Sequence, residues 1–281
     1  MKVRILTAAV ALPILIASIV LPSYFPQTVW IFVVIAALAL AAGMFEFFML
    51  TKKLELKADP SIAYLGAAML FVAFLFDAPS KFPDLLLLTV AIFIVAVLIT
   101  QTFRFQADLT KMLAGIGVTL LGVMYIAFLG GFLVSMRVGF ETRPNLSTHL
   151  LAYFFLVLMG SDSGAYFAGK AFGKHKLIPK ISPGKTWEGL VSGLLAAAAF
   201  GALSTFWFFP ELPYPYSIPL ALVIAITGVL GDLAESAIKR GSNTKDAASI
   251  LPGHGGFLDR LDSLLFNAPI LYYFAHFYFS T

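Results

Sequence analysis

The residues able to do chemistry in this 281-residue chain gather between Ser236 and Asp262, in the stretch SAIKRGSNTKDAASILPGHGGFLDRLD. It holds Lys239, Arg240, Lys245, Asp246, His254, Asp259, Arg260 and Asp262, with Glu235 just ahead, in a protein that is 60% hydrophobic and 12% charged. Long apolar segments flank it. A polar island between two membrane-length segments has to face water, protein or a charged ligand, because lipid cannot solvate it. Asp232, Glu235, Ser236 and Lys239 sit at i, i+3, i+4 and i+7, which is one face of a helix. Two readings stand for that face: an internal ion-pair ladder joining Lys239 to Asp232 or Glu235, or a ligand site. Further on, Gly253, Gly255 and Gly256 surround His254 and let the backbone turn tightly against a ligand. Asp259 and Asp262 again share a helical face. Carboxylates that converge without Cys or His suit a hard cation such as Mg²⁺, bound through one or two carboxylates plus substrate phosphates. With Lys239, Arg240, Lys245 and Arg260 around them, the set points to a metal-bound polyphosphate. A positive anchor at the membrane surface explains Lys239 and Arg240 equally well, but not Asp246, Asp259 and Asp262.

Two other stretches carry polar groups of the same kind. Asp162, with Ser161, Ser163 and Tyr166 beside it, lies inside an apolar run; it is either a structural acceptor or part of the same polar cavity. The following loop reads KHKLIPKISPGKTWEG. Gly184-Lys185-Thr186 looks like the end of a phosphate-binding loop, but Pro179 stands where that motif needs glycine and no strand is expected ahead of it, so a Walker site is excluded. Lys185 and Thr186 still place a cation and a hydroxyl at the start of the next helix, where its dipole favours phosphate. Lys174, Lys176 and Lys180 are read as solvating the loop or touching anionic lipid heads. His149, His175 and His276 are isolated and read as ordinary.

The elements that must position these residues are membrane helices. Mean hydropathy is +0.91, and apolar runs of about 20 residues, enough to cross a hydrocarbon core of roughly 30 Å, recur along the chain. The expected fold is all-α, a polytopic bundle of about nine spans near 5–23, 28–50, 61–77, 84–103, 112–136, 148–170, 187–210, 217–240 and 261–280, the third of them short. Lys2 and Arg4 precede the first, which lacks a clear cleavage site and is read as a retained helix. With the N-terminus inside, only Lys81, Arg137 and Arg143 of the 19 basic residues fall outside, as the positive-inside rule requires. Both motif loops are then cytoplasmic. Residues 1–140 are expected to be lipid-facing and structural, and 141–281 catalytic. Glu46 is read as a helix-end ion pair with Lys52 and Lys53. Gly193 and the run Ala196–Ala199 suit close helix packing, within or between subunits. The absence of cysteine excludes disulfides and thiolate metal sites.

At these residues the chain resembles a known family. Ser236-x-x-Lys239-Arg240, Lys245-Asp246 and Pro252-x-His254-Gly255-Gly256-x-x-Asp259-Arg260-x-Asp262 resemble the signature of phosphatidate cytidylyltransferases, or CDP-diacylglycerol synthases. Asp162-Ser163-x-Ala165-Tyr166 and Ser182-Pro183-x-Lys185-Thr186-x-Glu188-Gly189 fit it too. Gly184 stands where members often carry a second lysine, and the N-terminal half is similar in hydropathy alone. The resemblance implies transfer of a cytidylyl group from CTP to phosphatidate in phospholipid synthesis, with Mg²⁺ and an open place for a second cation. It implies a bacterial inner-membrane enzyme whose site faces the cytoplasm, with CTP, phosphatidate and membrane as partners, no nucleic acid, and a homodimer left open. Asp232, Asp259 and Asp262 would bind metal, Asp246 and Lys239 would join Asp259 and Asp262 in catalysis, and Arg240, Lys245 and Arg260 would hold phosphates. Lys239 would hold phosphate as well. His254, Gly255 and Gly256 would shape the nucleotide pocket, which Ser182, Lys185, Asp162 and Ser236 would complete. A CTP-dependent polyprenol or phytol kinase, which moves the γ-phosphoryl group, is the rival with related chemistry; the complete run from His254 to Asp262 argues against it. A cation transporter would need polar residues through both halves of the bilayer, and a non-catalytic scaffold would not need the intact acidic set.

Overall fold

The computed structural model describes residues 2–104, 109–140, 143–242 and 256–279, with the backbone alone for 2–8 and 110. Lys245, Asp246, His254 and Gly255 lie outside the described residues.

All nine apolar stretches are helical among the described residues. The helices are α1 (Lys2–Val20), α2 (Val29–Lys53), α3 (Pro60–Leu75), a single turn α4 (Ala78–Lys81), α5 (Pro83–Arg104), α6 (Met112–Gly122), α7 (Leu129–Val138), α8 (Leu146–Phe172), α9 (Trp187–Trp207), α10 (Tyr214–Gly241) and α11 (Leu258–Phe279). A π-helical turn, Val123–Phe128, joins α6 and α7 into one rod. Proline marks several starts, where its missing N–H has no intrahelical partner to lose. Pro60 opens α3 behind Asp59, whose Oδ1 accepts the Ile62 amide at 3.4 Å, and Pro83 opens α5.

Among the described residues, six helical rods are long and apolar enough to cross a membrane: Pro26–Lys53, Pro83–Arg104, Met112–Val138, Leu146–Phe172, Trp187–Trp207 and Tyr214–Gly241. Shorter apolar helices cover Ala9–Ser23 and Pro60–Leu75. At 22 residues α11 has the length, but Asp259, Arg260, Asp262, Asn267 and His276 make it less apolar than those six. The chain is a polytopic helical membrane protein. One feature departs from the all-helical expectation. The loop between α8 and α9 folds into a hairpin of β1 (Lys176–Ile178) and β2 (Ser182–Thr186), paired antiparallel. A short strand therefore does precede Gly184-Lys185-Thr186. It satisfies its own backbone bonds in a two-stranded ribbon and is not the parallel-sheet edge that a Walker loop follows.

The packing places α11 at the centre of the bundle. It lies against α10 on one side and against α7 and α2 on the other, while α9 packs along both α8 and α10. Small residues make the α8–α9 contact close: a methyl group on Gly164 would stand 2.6 Å from Ala196 Cβ, and one on Gly193 3.1 Å from Ala165 Cβ. Gly193 and Ala196 of the run thus pack within the chain. Toward its C-terminal end α11 meets the turn between α3 and α4, where the Tyr272 hydroxyl donates to the buried Asp77 Oδ1 at 2.5 Å.

Candidate active site

Two glycines on α10 set the geometry. Gly228 and Gly231 face α11, and hydrogen bonds cross the seam: Ser263 Oγ donates to Gly228 O at 3.1 Å, and Asn267 Nδ2 donates to Ile224 O at 3.1 Å. Thr227 Oγ1 and Asn267 Oδ1 share a further bond. A methyl group on Gly231 would stand 2.5 Å from the carbonyl oxygen of Asp262. The two backbones nearly touch at the residue preceding Asp232, which brings carboxylates 30 positions apart in the sequence into one neighbourhood. Gly231→Ala should therefore lower stability by about 1–3 kcal/mol through overpacking. It should cut turnover by about a hundredfold as the two carboxylates are forced apart. Thermal unfolding in detergent and a turnover assay check both, and wild-type turnover would show that the crossing does not govern the site.

Beside this crossing lies a cavity of about 560 Å³ lined by Asp162 from α8, Ser182 and Lys185 from β2, and Asp232 from α10. Lys185 Nζ sits 2.9 Å from Asp232 Oδ2 and donates to Val229 O at 3.3 Å. Ser236 Oγ donates to the other oxygen of Asp232 at 3.2 Å. Asp162, Asp232 and Asp262 are within electrostatic range of one another. Asp262 is buried, with the Ser263 amide donating to its Oδ1 at 2.6 Å. The hairpin is held over the cavity by local contacts. Thr186 caps α9 by accepting the Gly189 amide at 3.1 Å, so its hydroxyl serves the helix start. His175, read as ordinary, braces the hairpin: its Nδ1 lies 2.7 Å from Glu188 Oε1, and its carbonyl accepts the Trp187 amide at 2.9 Å. Arg240 Nε donates to Ile181 O at 3.2 Å from the end of α10.

A second cluster lies nearer the ends of α10 and α11. Lys239 Nζ is 2.6 Å from Glu235 Oε2 and 2.8 Å from Asp259 Oδ1. The Gly256 amide donates to Asp259 Oδ2 at 3.3 Å. The ion-pair ladder is thus realised on Glu235 and extended across to α11, while Asp232 is taken by Lys185. Asp259 and Lys239, expected on metal and phosphate, occupy each other. Arg240 and Arg260 are exposed at the same end. Among the described residues, no three His, Cys, Asp or Glu side chains form a group close enough to hold a metal ion by themselves.

Glu46 and Tyr125, from the N-terminal half, reach this region, and sequence reasoning missed both. Glu46 does not form the helix-end pair expected of it. Lys52 and Lys53 are exposed, six and seven residues on rather than one turn away, whereas Glu46 is fully buried and its Oε2 accepts the Leu258 amide of α11 at 2.8 Å. The usable signal was a lone carboxylate inside a long apolar helix. Tyr125, on the π-helical turn, is 6% exposed, and its buried hydroxyl lies within electrostatic range of Asp262, Glu235 and Asp232. π-turns recur at functional sites, but nothing in the local sequence marks this one.

The profile of the cytidylyltransferase family matches residues 2–278. The chain is 35% identical over 281 residues to a phosphatidate cytidylyltransferase of Bacillus subtilis, covering 97% of each chain. It is 40% identical over 158 residues to one of Haemophilus influenzae, covering 55% of this chain and 54% of that protein. A similar protein of Staphylococcus haemolyticus is 40% identical over 149 residues, 53% of this chain and 56% of its own.

Proposed function

The chain belongs to the cytidylyltransferase family, and on that premise we propose that the cavity between α8, the hairpin and α10 is its active site. The reaction is that of a phosphatidate cytidylyltransferase. A phosphate oxygen of phosphatidate attacks the α-phosphorus of CTP. The bond from that phosphorus to the bridging oxygen of the β-phosphate breaks, and pyrophosphate leaves with CDP-diacylglycerol as the lipid product. The nucleophile is supplied by the substrate, so no covalent enzyme intermediate is required. The protein has to align two polyanions and offset the charge that grows on the leaving group.

The observation that carries this reading is the Lys185–Asp232 pair at the cavity wall, with Asp162 beside it: residues from three separate motif stretches meet at one place. Lys185 brings positive charge to a phosphate held against the hairpin, and Asp232 and Ser236 keep it aimed there. Arg240 and Arg260, exposed at the same end of the bundle, draw the two polyanions there. Tyr166, exposed beside Asp162 and facing the cavity, gives it an apolar wall on the lipid side.

The donor chemistry fits Mg²⁺. Asp232 and Asp262, supported by Asp162, offer hard oxygen ligands, and Mg²⁺ on a polyphosphate needs one or two carboxylates rather than a cage of three. Bound there with the nucleotide, it would supply charge neutralisation on the phosphates. Asp259 serves the Lys239 bridge in our reading and joins the metal set only if that bridge opens. Loop charge supports a cytoplasmic setting for this end of the bundle, where CTP is dissolved, and the membrane is then the cytoplasmic membrane of a bacterium, as the bacterial relatives suggest. The first 140 residues act as the scaffold of α11, and the remainder supplies the chemistry.

The test is purified protein with phosphatidate, Mg²⁺ and CTP labelled at either the α- or the γ-phosphorus. Label should enter the lipid fraction only from the α-position. Label entering from the γ-position would identify a lipid kinase instead.

A further inference from the structure

We propose that Glu46 is a positioning residue for this reaction: a carboxylate on α2 that fixes the first turn of α11, and through it Asp259 and Asp262, against α10. The inference rests on the functional reading above and goes beyond it, because it assigns one side chain of the N-terminal half a part in setting the turnover rate.

Glu46 is fully buried on an otherwise apolar membrane helix, a position that disfavours a carboxyl group unless it is bonded. Its partner lies at the very start of α11. The first amides of a helix have no intrahelical acceptor, and Glu46 Oε2 takes that of Leu258 at 2.8 Å. The approach depends on Gly256, since a methyl group there would stand 2.4 Å from the same oxygen. One turn earlier on the same face of α2, Gly43 opposes Leu261, with a methyl group on that glycine reaching to 3.0 Å from Leu261 Cδ1. Glu46 and Gly43 therefore dock α2 against the residues directly flanking Asp259 and Asp262. Gly256 is gripped from both sides. Its Cα faces Glu46 while its amide donates to Asp259, which holds Lys239. A continuous chain of contacts thus runs from α2 through the start of α11 to α10. Gly256, expected to shape a nucleotide pocket, has a second reason to lack a side chain.

The test uses the full-length protein in detergent, comparing wild type with Glu46→Ala and Glu46→Gln. Glutamine keeps an oxygen acceptor for the Leu258 amide, and alanine removes it. For Glu46→Ala, kcat should fall by about ten- to a hundredfold, the range expected for a small displacement of reacting groups, with KM for CTP little changed. Its α11 amides at 258–262 should exchange hydrogen faster while those of α8 and α9 do not. Glu46→Gln should recover most of kcat and of that protection. Wild-type kcat in Glu46→Ala, an equal loss in both variants, or faster exchange spread evenly over all helices would each overturn the proposal. A wild-type protein that transfers no cytidylyl group would instead overturn the functional reading, whatever the variants do.

Discussion

Asp232→Asn should lower cytidylyl transfer by about a thousandfold and leave the protein folded. The carboxylate of Asp232 faces Lys185 at 2.9 Å on one oxygen and Ser236 at 3.2 Å on the other, and it shares its surroundings with Asp162 and Asp262. Asparagine keeps the size and an acceptor for Ser236. It removes the charge that aims Lys185 and that a cation on the triphosphate would require. The stability effect should be small, because the Asp232 side chain is 40% exposed and an ion pair that open to solvent contributes about 0–1 kcal/mol. Turnover with α-labelled CTP, read beside the unfolding midpoint, separates the two quantities. Turnover within about tenfold of wild type would remove Asp232 from the site.

Lys239→Ala should act in the opposite proportion, first on stability. Lys239 bridges Glu235, whose side chain is 1% exposed, and Asp259, at 21%. Removing one partner of a buried pair leaves an uncompensated charge and costs about 3–5 kcal/mol, several times what the intact pair contributes. The pair Lys239→Met with Glu235→Gln should regain most of that loss, because no buried charge is then stranded on α10. Turnover should not return with it, since Asp259 has lost its tether across the seam. An unfolding midpoint for Lys239→Ala equal to wild type would show that Lys239 does not hold the helices together and would restore the phosphate-binding reading of its ammonium.

These expectations differ from a motif-based list because the structure distributes the motif over two clusters. On the helical period alone, Lys239 had two candidate partners on its own face. Glu235 is one turn away and pairs with it; Asp232 is two turns away and is captured by Lys185 from the hairpin. That choice depends on an element whose antiparallel pairing was not expected. Glu46 illustrates the same limit. Its nearest charges in the chain are Lys52 and Lys53, yet its bonded partner is 212 residues away, at the start of the last helix.

What the sequence by itself determined is the membrane character, the position of every long helix to within a few residues and, through its resemblance to a known family, the reaction class. The first two rest on local quantities: a run of apolar residues long enough for a bilayer and the charge of a loop. What only the tertiary structure decided is which charges pair with each other and which residues of the N-terminal half come up against α11. Those outcomes depend on contacts between α2, α10, α11 and the hairpin. A buried carboxylate is satisfied by whichever donor the packing brings within about 3 Å, and spacing along the chain says nothing about that donor once the helices have folded back on one another.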